Sequence, residues 1–389
     1  MKIKILILLF IFKTMIYAGN AAYQDVSPKT LVQDADIIIS GEIVKILSSN
    51  PDVTAMDTGI IAIDKILKGA KNTSFIRIIY PGKNRTGISP MDITFKSGDK
   101  GLWMLKSYKN NCFRVYHPDC FQKKDAELII KDIINKKSLN KIKQYNPEDK
   151  LIISKLYRHE GTEETLPFLI DMLKEKNEQI FSNGRLGIYR ITNQIFIDKD
   201  TLSLKEKNEF IKLCRSWWEK NSNLPREQWI KNGIIRDIQL LKVKDETISK
   251  RAAVRLIDYT GQYGFTGSGF APQTEAAIGK WDRWWEKNAN RHQEDWAEDL
   301  ITSEDPYHRH YGIIITTELI KFGNKNIINN LIKCLMDPYP QIQEDAIESL
   351  YILTGENFGF DSRKTAEKNM ESIKQWMNWR ERIKKKKDL

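Results

Sequence analysis

Residues 258–285, DYTGQYGFTGSGFAPQTEAAIGKWDRWW, carry five glycines and a proline, then three tryptophans in five positions. A glycine-rich loop feeding a helix is the arrangement that cradles phosphate, because backbone N–H groups and the helix N-terminus then approach the anion closely. Gly261, Gly264, Gly267 and Gly269 fit neither the phosphate-loop spacing with its terminal Lys-Ser/Thr nor GxGxxG, and no strand pattern precedes them. Turn geometry and close approach of two chain segments are the expected roles. The tryptophans offer flat faces to a sugar or a planar ligand. At i, i+3 and i+4 on an amphipathic helix they are expected in the core instead, with Trp218 and Trp285 as the more exposed members.

The remaining chemistry-bearing groups meet the same test. His308-Arg309-His310 with Asp305 supplies two imidazoles and a carboxylate, but no further ligand follows at a supporting spacing and no HExxH occurs. A solvated helix entry is expected there, and His159-Glu160 suits a helix end. In IDKDTLSLKEKNE (197–209), Asp198, Asp200 and Glu209 stand where a calcium loop places acids, yet Leu202 and Ser203 occupy positions that need a ligand and a glycine. There is no GxSxG and no cysteine with a paired histidine on a recognisable frame. No catalytic, cofactor-binding or metal residue is therefore assigned. One covalent possibility stands, a disulfide between Cys112 and Cys120, whose run alternates and then turns at His117-Pro118-Asp119. Cys214 and Cys334 fall in helical patterns among apolar neighbours, as small core residues do.

A chain of 389 residues is long for one core, so two domains are expected. With 41% hydrophobic and 29% charged residues it is unlike a disordered or a membrane chain. Lys2 and Lys4 precede an apolar run, Ile5–Phe12, and then the small residues of YAGNAA, the pattern of a secretory signal peptide. The run is far shorter than the roughly 20 residues of a spanning helix. Cleavage is expected after Ala21, or after Ala18, with an uncleaved anchor as the alternative. It removes Lys2, Lys4 and Lys13 and takes the formal charge from +11 to 11 − 3 = +8. The mature chain is then periplasmic or secreted, without a transmembrane segment, and no nucleic-acid partner is expected. The basic tail Lys384–Lys387 reads as a solvated helix end.

Residues 22–145 read as strands: 35–47, 58–69, 74–80, 91–95, 100–108 and 112–117 are rich in Ile, Val and aromatics and bounded by Asn, Pro and Gly clusters. Short strands without intervening helices indicate a small antiparallel barrel or sandwich, closed here by a helix over 124–137. Ala35-Asp36 with Gly41, Leu67-Lys68-Gly69 and Gly98-Asp99 form a pattern that resembles a module of exported bacterial proteins. That module is similar to the OB-type barrel of the tissue inhibitors of metalloproteinases. Those inhibitors act through an N-terminal cysteine that this chain lacks, so the resemblance implies a fold and not inhibition.

From residue 146 to 382 the period is helical. Asn146-Pro147 is an N-cap followed by Pro, and SLKE at 203–206 is a capping box. RLGIYRITNQIF, RAAVRLIDYTGQYGF and AIESLYILTGENFGF share one form, a helix ending in Thr192-Asn193, Thr260-Gly261 or Thr354-Gly355. About 25 residues later each reaches Trp217-Trp218, Trp284-Trp285 or Trp379, with Cys214, Trp281 and Trp376 three positions earlier on the same face. The glycine-rich stretch is thus one of three versions of a connector. Residues 312–323 and 324–340 read as a further helix pair in the larger interval. This half resembles HEAT-type helical repeats, in the variant with Leu-Thr-Gly and Trp-x-x-Trp-Trp. The fold class expected is α+β multidomain, a small antiparallel β barrel followed by an α-solenoid of HEAT-like helix pairs. The resemblance implies a non-catalytic scaffold of the bacterial envelope with a protein partner and no cofactor. A ligand- or protease-binding barrel supported by the solenoid, or a hydrolase with an unrecognised site, stay open as alternatives.

Overall fold

The computed structural model describes residues 26–47, 56–69, 73–81, 94–108, 112–122, 126–134, 149–265 and 274–387. The expected signal peptide, Asn146-Pro147 and residues 266–273 of the glycine-rich stretch lie outside the described residues. The chain falls into two compact units, Met1–Gly187 and Ile188–Leu389. None of the described helices is long and apolar enough to cross a membrane.

The described part of the first unit begins with a helix ahead of the first expected strand. Ser27 Oγ accepts the Lys29 N–H (3.2 Å) and Pro28 starts the first turn, so α1 (Pro28–Asp34) forms and buries Leu31 and Val32. Six strands follow: β1 (Ile37–Leu47), β2 (Met56–Lys68), β3 (Phe75–Pro81), β4 (Lys100–Ser107), β5 (Cys112–Arg114) and β6 (Phe121–Gln122). The order β1-β2-β3-β5-β4 is closed by a β4–β1 ladder, and β6 pairs with β4. The barrel is mixed rather than purely antiparallel, because β3 and β5 run parallel. A ring of five strands requires this: directions cannot alternate around an odd number. Three irregularities in the β1–β2 register supply the bending that closure needs.

The expected strand at 91–95 is absent where it is described, since Thr94 and Phe95 are irregular. Phe95 instead plugs the barrel, with ring centroids 4.9 Å from Tyr80 and Trp103 and 5.6 Å from Phe121. The strand expected over 112–117 ends at Arg114, and Pro118–Cys120 is a single 3₁₀ turn. The closing helix is present as α2 (Glu127–Ile134).

The motif residues of this region prove to be joints. A Cβ on Gly41 would lie 2.4 Å from the Ala62 carbonyl oxygen, and the Gly41 carbonyl accepts the indole N–H of buried Trp103 (3.1 Å). Asp36 accepts the Ser107 N–H (2.6 Å), and Lys68 Nζ donates to the Val32 and Gln33 carbonyls at the end of α1, both at 2.8 Å. Gly98 donates to Ile43 and Asp99 accepts from Lys96, both at 2.8 Å. The unit continues with α3 (Asp149–Glu160), α4 (Leu166–Met172) and the start of α5 (Glu178–Thr192), within which the division between units falls.

The second unit is a stack of helices: α6 (Leu204–Asn221), α7 (Arg226–Leu240), α8 (Glu246–Thr260), α9 (Glu275–Asn288), α10 (Gln293–Ile301), α11 (Pro306–Lys321), α12 (Ile328–Cys334), α13 (Pro340–Thr354) and α14 (Ala366–Lys387). α7 packs on α8, α10 on α11 and α12 on α13. The helix pair expected from 312–340 is therefore divided, because the short amphipathic helix α10 takes α11 as its partner. The helices that carry the recurring tryptophan positions 217, 284 and 379, α6, α9 and α14, follow α5, α8 and α13. After α11 there is none, and residues 322–327 lead directly to α12.

The three Thr-plus-left-handed ends are built alike. Asn193 (φ 53°), Gly261 (φ 69°) and Gly355 (φ 79°) turn the chain, and their N–H groups each donate at 2.7 Å to Tyr189, Ile257 and Tyr351. The preceding threonine explains itself. Thr192, Thr260 and Thr354 donate their hydroxyls to Ile188 (2.7 Å), Leu256 (2.6 Å) and Leu350 (2.7 Å). The same oxygens accept the N–H groups of Gln194, Gln262 and Glu356 at 3.1, 3.4 and 3.1 Å. One hydroxyl thus ties the last turn to the departing chain.

Candidate functional site

The connectors then insert a phenylalanine against each tryptophan helix. Phe196 lies 6.0 Å from Trp217, Phe265 5.0 Å from Trp281, and Phe358 4.7 Å from Trp376. Trp281, Trp376 and Cys214 are fully buried. Trp217 and Trp218 cover Trp229 of α7 at 5.4 and 5.9 Å, and Trp284 and Trp285 cover Trp296 of α10 at 5.2 and 6.5 Å. Trp218 and Trp285, expected as exposed members, are half-buried. These edge-to-face contacts are core packing that locks α6 onto α7 and α9 onto α10.

Before residues 266–273, the described part of the glycine-rich stretch ends in polar and aromatic contacts. The Tyr263 hydroxyl donates to Asp305 Oδ2 (2.7 Å), while Asp305 Oδ1 accepts the Tyr307 N–H (2.8 Å) and so caps α11. Burial works to raise the Asp305 carboxyl, but the Tyr263 hydroxyl and the Tyr307 N–H hold it below its ordinary range. Burial and Asp305 together push the Tyr263 phenol upward. The pair is an acid fixed as an anion and a phenol fixed as a donor, a strut between connector and helix.

His308, Arg309 and His310 do not converge. His308 Nδ1 meets Ser303 Oγ (3.2 Å), Arg309 forms a two-pronged contact with Asp337 (2.7 and 3.1 Å), and His310 Nδ1 meets Asp345 Oδ2 (2.6 Å). Successive helical residues point about 100° apart, so three in a row serve three neighbours. Among the described residues no group of three or more His, Cys, Asp or Glu is placed to hold a metal.

Asp198 and Asp200 are taken up by arginines more than fifty residues away. Arg251 binds Asp198 (3.2 Å) and Asp200 (2.7 Å), and Arg255 Nη1 binds Asp198 (3.1 Å). Arg255 also grips Asp237 with Nε and Nη2 (3.1 and 2.9 Å), and Arg236 approaches Asp237 from the other side (3.1 and 2.9 Å). Asp237 and Arg255 are buried, at 0% and 2% exposure. Despite burial, Asp237 and then Asp198 hold the Arg255 guanidinium firmly charged. Sequence reading missed these partners because no local spacing announces a pair separated by 18 or 57 residues.

Of the two cysteines of the first unit, Cys112 is half-buried at the start of β5 and Cys120 is buried. Burial pushes the Cys120 thiol up to about 12, so it is a poor nucleophile beside the buried His117. Glu160 pairs with Lys29 (3.2 Å) at the end of α3.

One cluster was invisible to sequence reading. Arg190 at the end of α5 contacts Glu318 of α11 (2.7 Å), which also takes Lys321 (3.2 Å). Arg226, at the start of α7, lies over the ring of Phe322, its Cζ 3.5 Å from the centroid, while its Nε donates to the Ile191 carbonyl (2.9 Å). Against burial, Lys321 and Arg190 hold the Glu318 carboxyl down to about 2.

Comparison of the chain with protein-family models and with curated proteins gives no match.

Proposed function

We propose that the protein is an exported, non-catalytic scaffold whose HEAT-like helical half binds another protein at the bacterial envelope, with the OB-like barrel as an accessory module. The observation that supports this most is the recurring unit of paired helices, Thr-plus-left-handed connector and tryptophan helix. Such a stack spends its aromatic and ionic groups on holding neighbouring repeats together and spreads an extended surface on which a partner can dock. The polar groups named above fit the same reading, since Asp305, Asp237, Arg255 and Arg309 each meet a partner in a neighbouring helix or connector.

The test is affinity capture with the full mature chain from envelope extract of the native cell, followed by cross-linking of the captured complex. The scaffold reading expects one stoichiometric protein with cross-links concentrated on residues 188–387. A partner held by the barrel alone would favour the barrel as the binding domain. A reproducible turnover by the purified chain, abolished by a single point substitution, would overturn the reading.

A further inference from the structure

In a stacked helical array each repeat touches its immediate neighbours, so curvature is the sum of small independent steps. In the second unit the helices that end a pair follow in the order α5, α8, α11, α13, and neighbours meet as expected. The Tyr259 hydroxyl of α8 donates to the Tyr189 and Arg190 carbonyls at the end of α5 (2.8 and 3.2 Å). Arg190 and Arg226 do something else. Arg190 reaches Glu318 and the Phe322 ring at the end of α11, two pairs further along, and Arg226, from the α7–α8 pair between them, covers the same ring.

The place is not arbitrary. α11 is the one of these helices with no tryptophan helix after it, and Phe322 is the residue at its C-cap. Where the ends of α8 and α13 are packed by Phe265 on Trp281 and Phe358 on Trp376, the end of α11 offers a ring and a carboxylate instead. A guanidinium on an aromatic face and a salt bridge whose side chains are 19% and 33% exposed lie at the edge of the core, where water and salt reach them in part. They tie the end of α11 to side chains of α5 and α7.

We infer that Arg190, Arg226, Glu318 and Phe322 form a releasable clasp that fixes the curvature of the helical stack between its first and third pairs. Closed, it couples the last turns of α5 and α11. Open, it lets the array relax without loss of helix, as a bistable element of a binding scaffold would.

The test is hydrogen exchange on the full chain at low and high ionic strength, for the unmodified protein and for Glu318→Gln and Phe322→Leu. The clasp requires exchange in the last turns of α5 and α11 to quicken together, by roughly fivefold or more, on raising salt. It requires Glu318→Gln to reproduce that rise at low salt and to show little further salt response, with far-ultraviolet circular dichroism unchanged. Phe322→Leu should quicken the same two segments while keeping some salt response. The unmodified protein needs no folding control. If its α5 and α11 ends fail to respond to salt, or respond only at α11, the clasp is refuted and Glu318 merely serves its own helix through Lys321.

Discussion

Gly233 on α7 is the seat of Asn193: a Cβ at residue 233 would lie 2.5 Å from Asn193 Nδ2. One repeat later the sizes are exchanged. Gly261 now occupies the helix end, and a Cβ there would lie 2.5 Å from Leu300 Cδ1 on α10. Gly233 and Leu300 are 67 residues apart, Asn193 and Gly261 68, so the same joint is filled once as large-on-small and once as small-on-large.

Exchanging both members should therefore be tolerated where exchanging one is not. Gly233→Leu alone is expected to cost about 1–3 kcal/mol through overpacking. Asn193→Gly combined with Gly233→Leu should recover at least about 1 kcal/mol of that loss. Urea unfolding of the two single variants and the double variant measures the coupling.

The threonine hydroxyls should be worth more than their methyl groups. Thr260→Val removes the bond to Leu256 and the bond from Gln262 and leaves the Leu256 carbonyl with less satisfaction, an expected loss of about 1–2 kcal/mol. Thr260→Ser keeps both bonds and should cost less. Thermal melts followed by circular dichroism rank the two.

The buried Asp237–Arg255 pair should show the asymmetry of an ion pair in a core. Asp237→Leu removes the buried partner of a guanidinium that is 2% exposed, leaving it Asp198 alone, and is expected to cost up to about 3–5 kcal/mol. Adding Arg255→Met should restore much of that loss, since Arg236, a quarter exposed, can turn to water. Denaturant midpoints of the single and double variants decide.

Glu318 sets a pH dependence with a definite sign. Its carboxyl is depressed to about 2 against an ordinary value near 4.5, so the folded chain binds this proton more weakly than the unfolded chain. Its stabilisation is complete above about pH 4.5 and is lost as pH falls from there toward 2. The acid limb of a stability profile should be shallower for Glu318→Gln, measured as the difference in unfolding midpoint between pH 5 and pH 3.

What the sequence disclosed followed from locality. The Thr-plus-left-handed ends were readable because a helix end is decided by a handful of adjacent residues, and the tryptophans because their spacing is one helix face. α1 escaped notice since seven residues give barely two turns of periodicity, although Ser27-Pro28 did carry the start signal. The β3–β5 pairing was hidden because strand direction is a property of the closed ring, not of any strand. The acids at 198 and 200 could be denied a calcium ion from spacing alone, but their partners Arg251 and Arg255 lie on another helix. Arg190 and Glu318, 128 residues apart, leave no local trace.

Trp103 sits at 0% exposure between Phe95 and Phe121, while every other tryptophan of the chain falls beyond residue 216. The protein therefore carries two unequal lamps, one indole for the barrel and nine for the helices. Darkening the single lamp with Trp103→Phe turns ordinary emission into a private view of the helical half, and the difference spectrum into a view of the other.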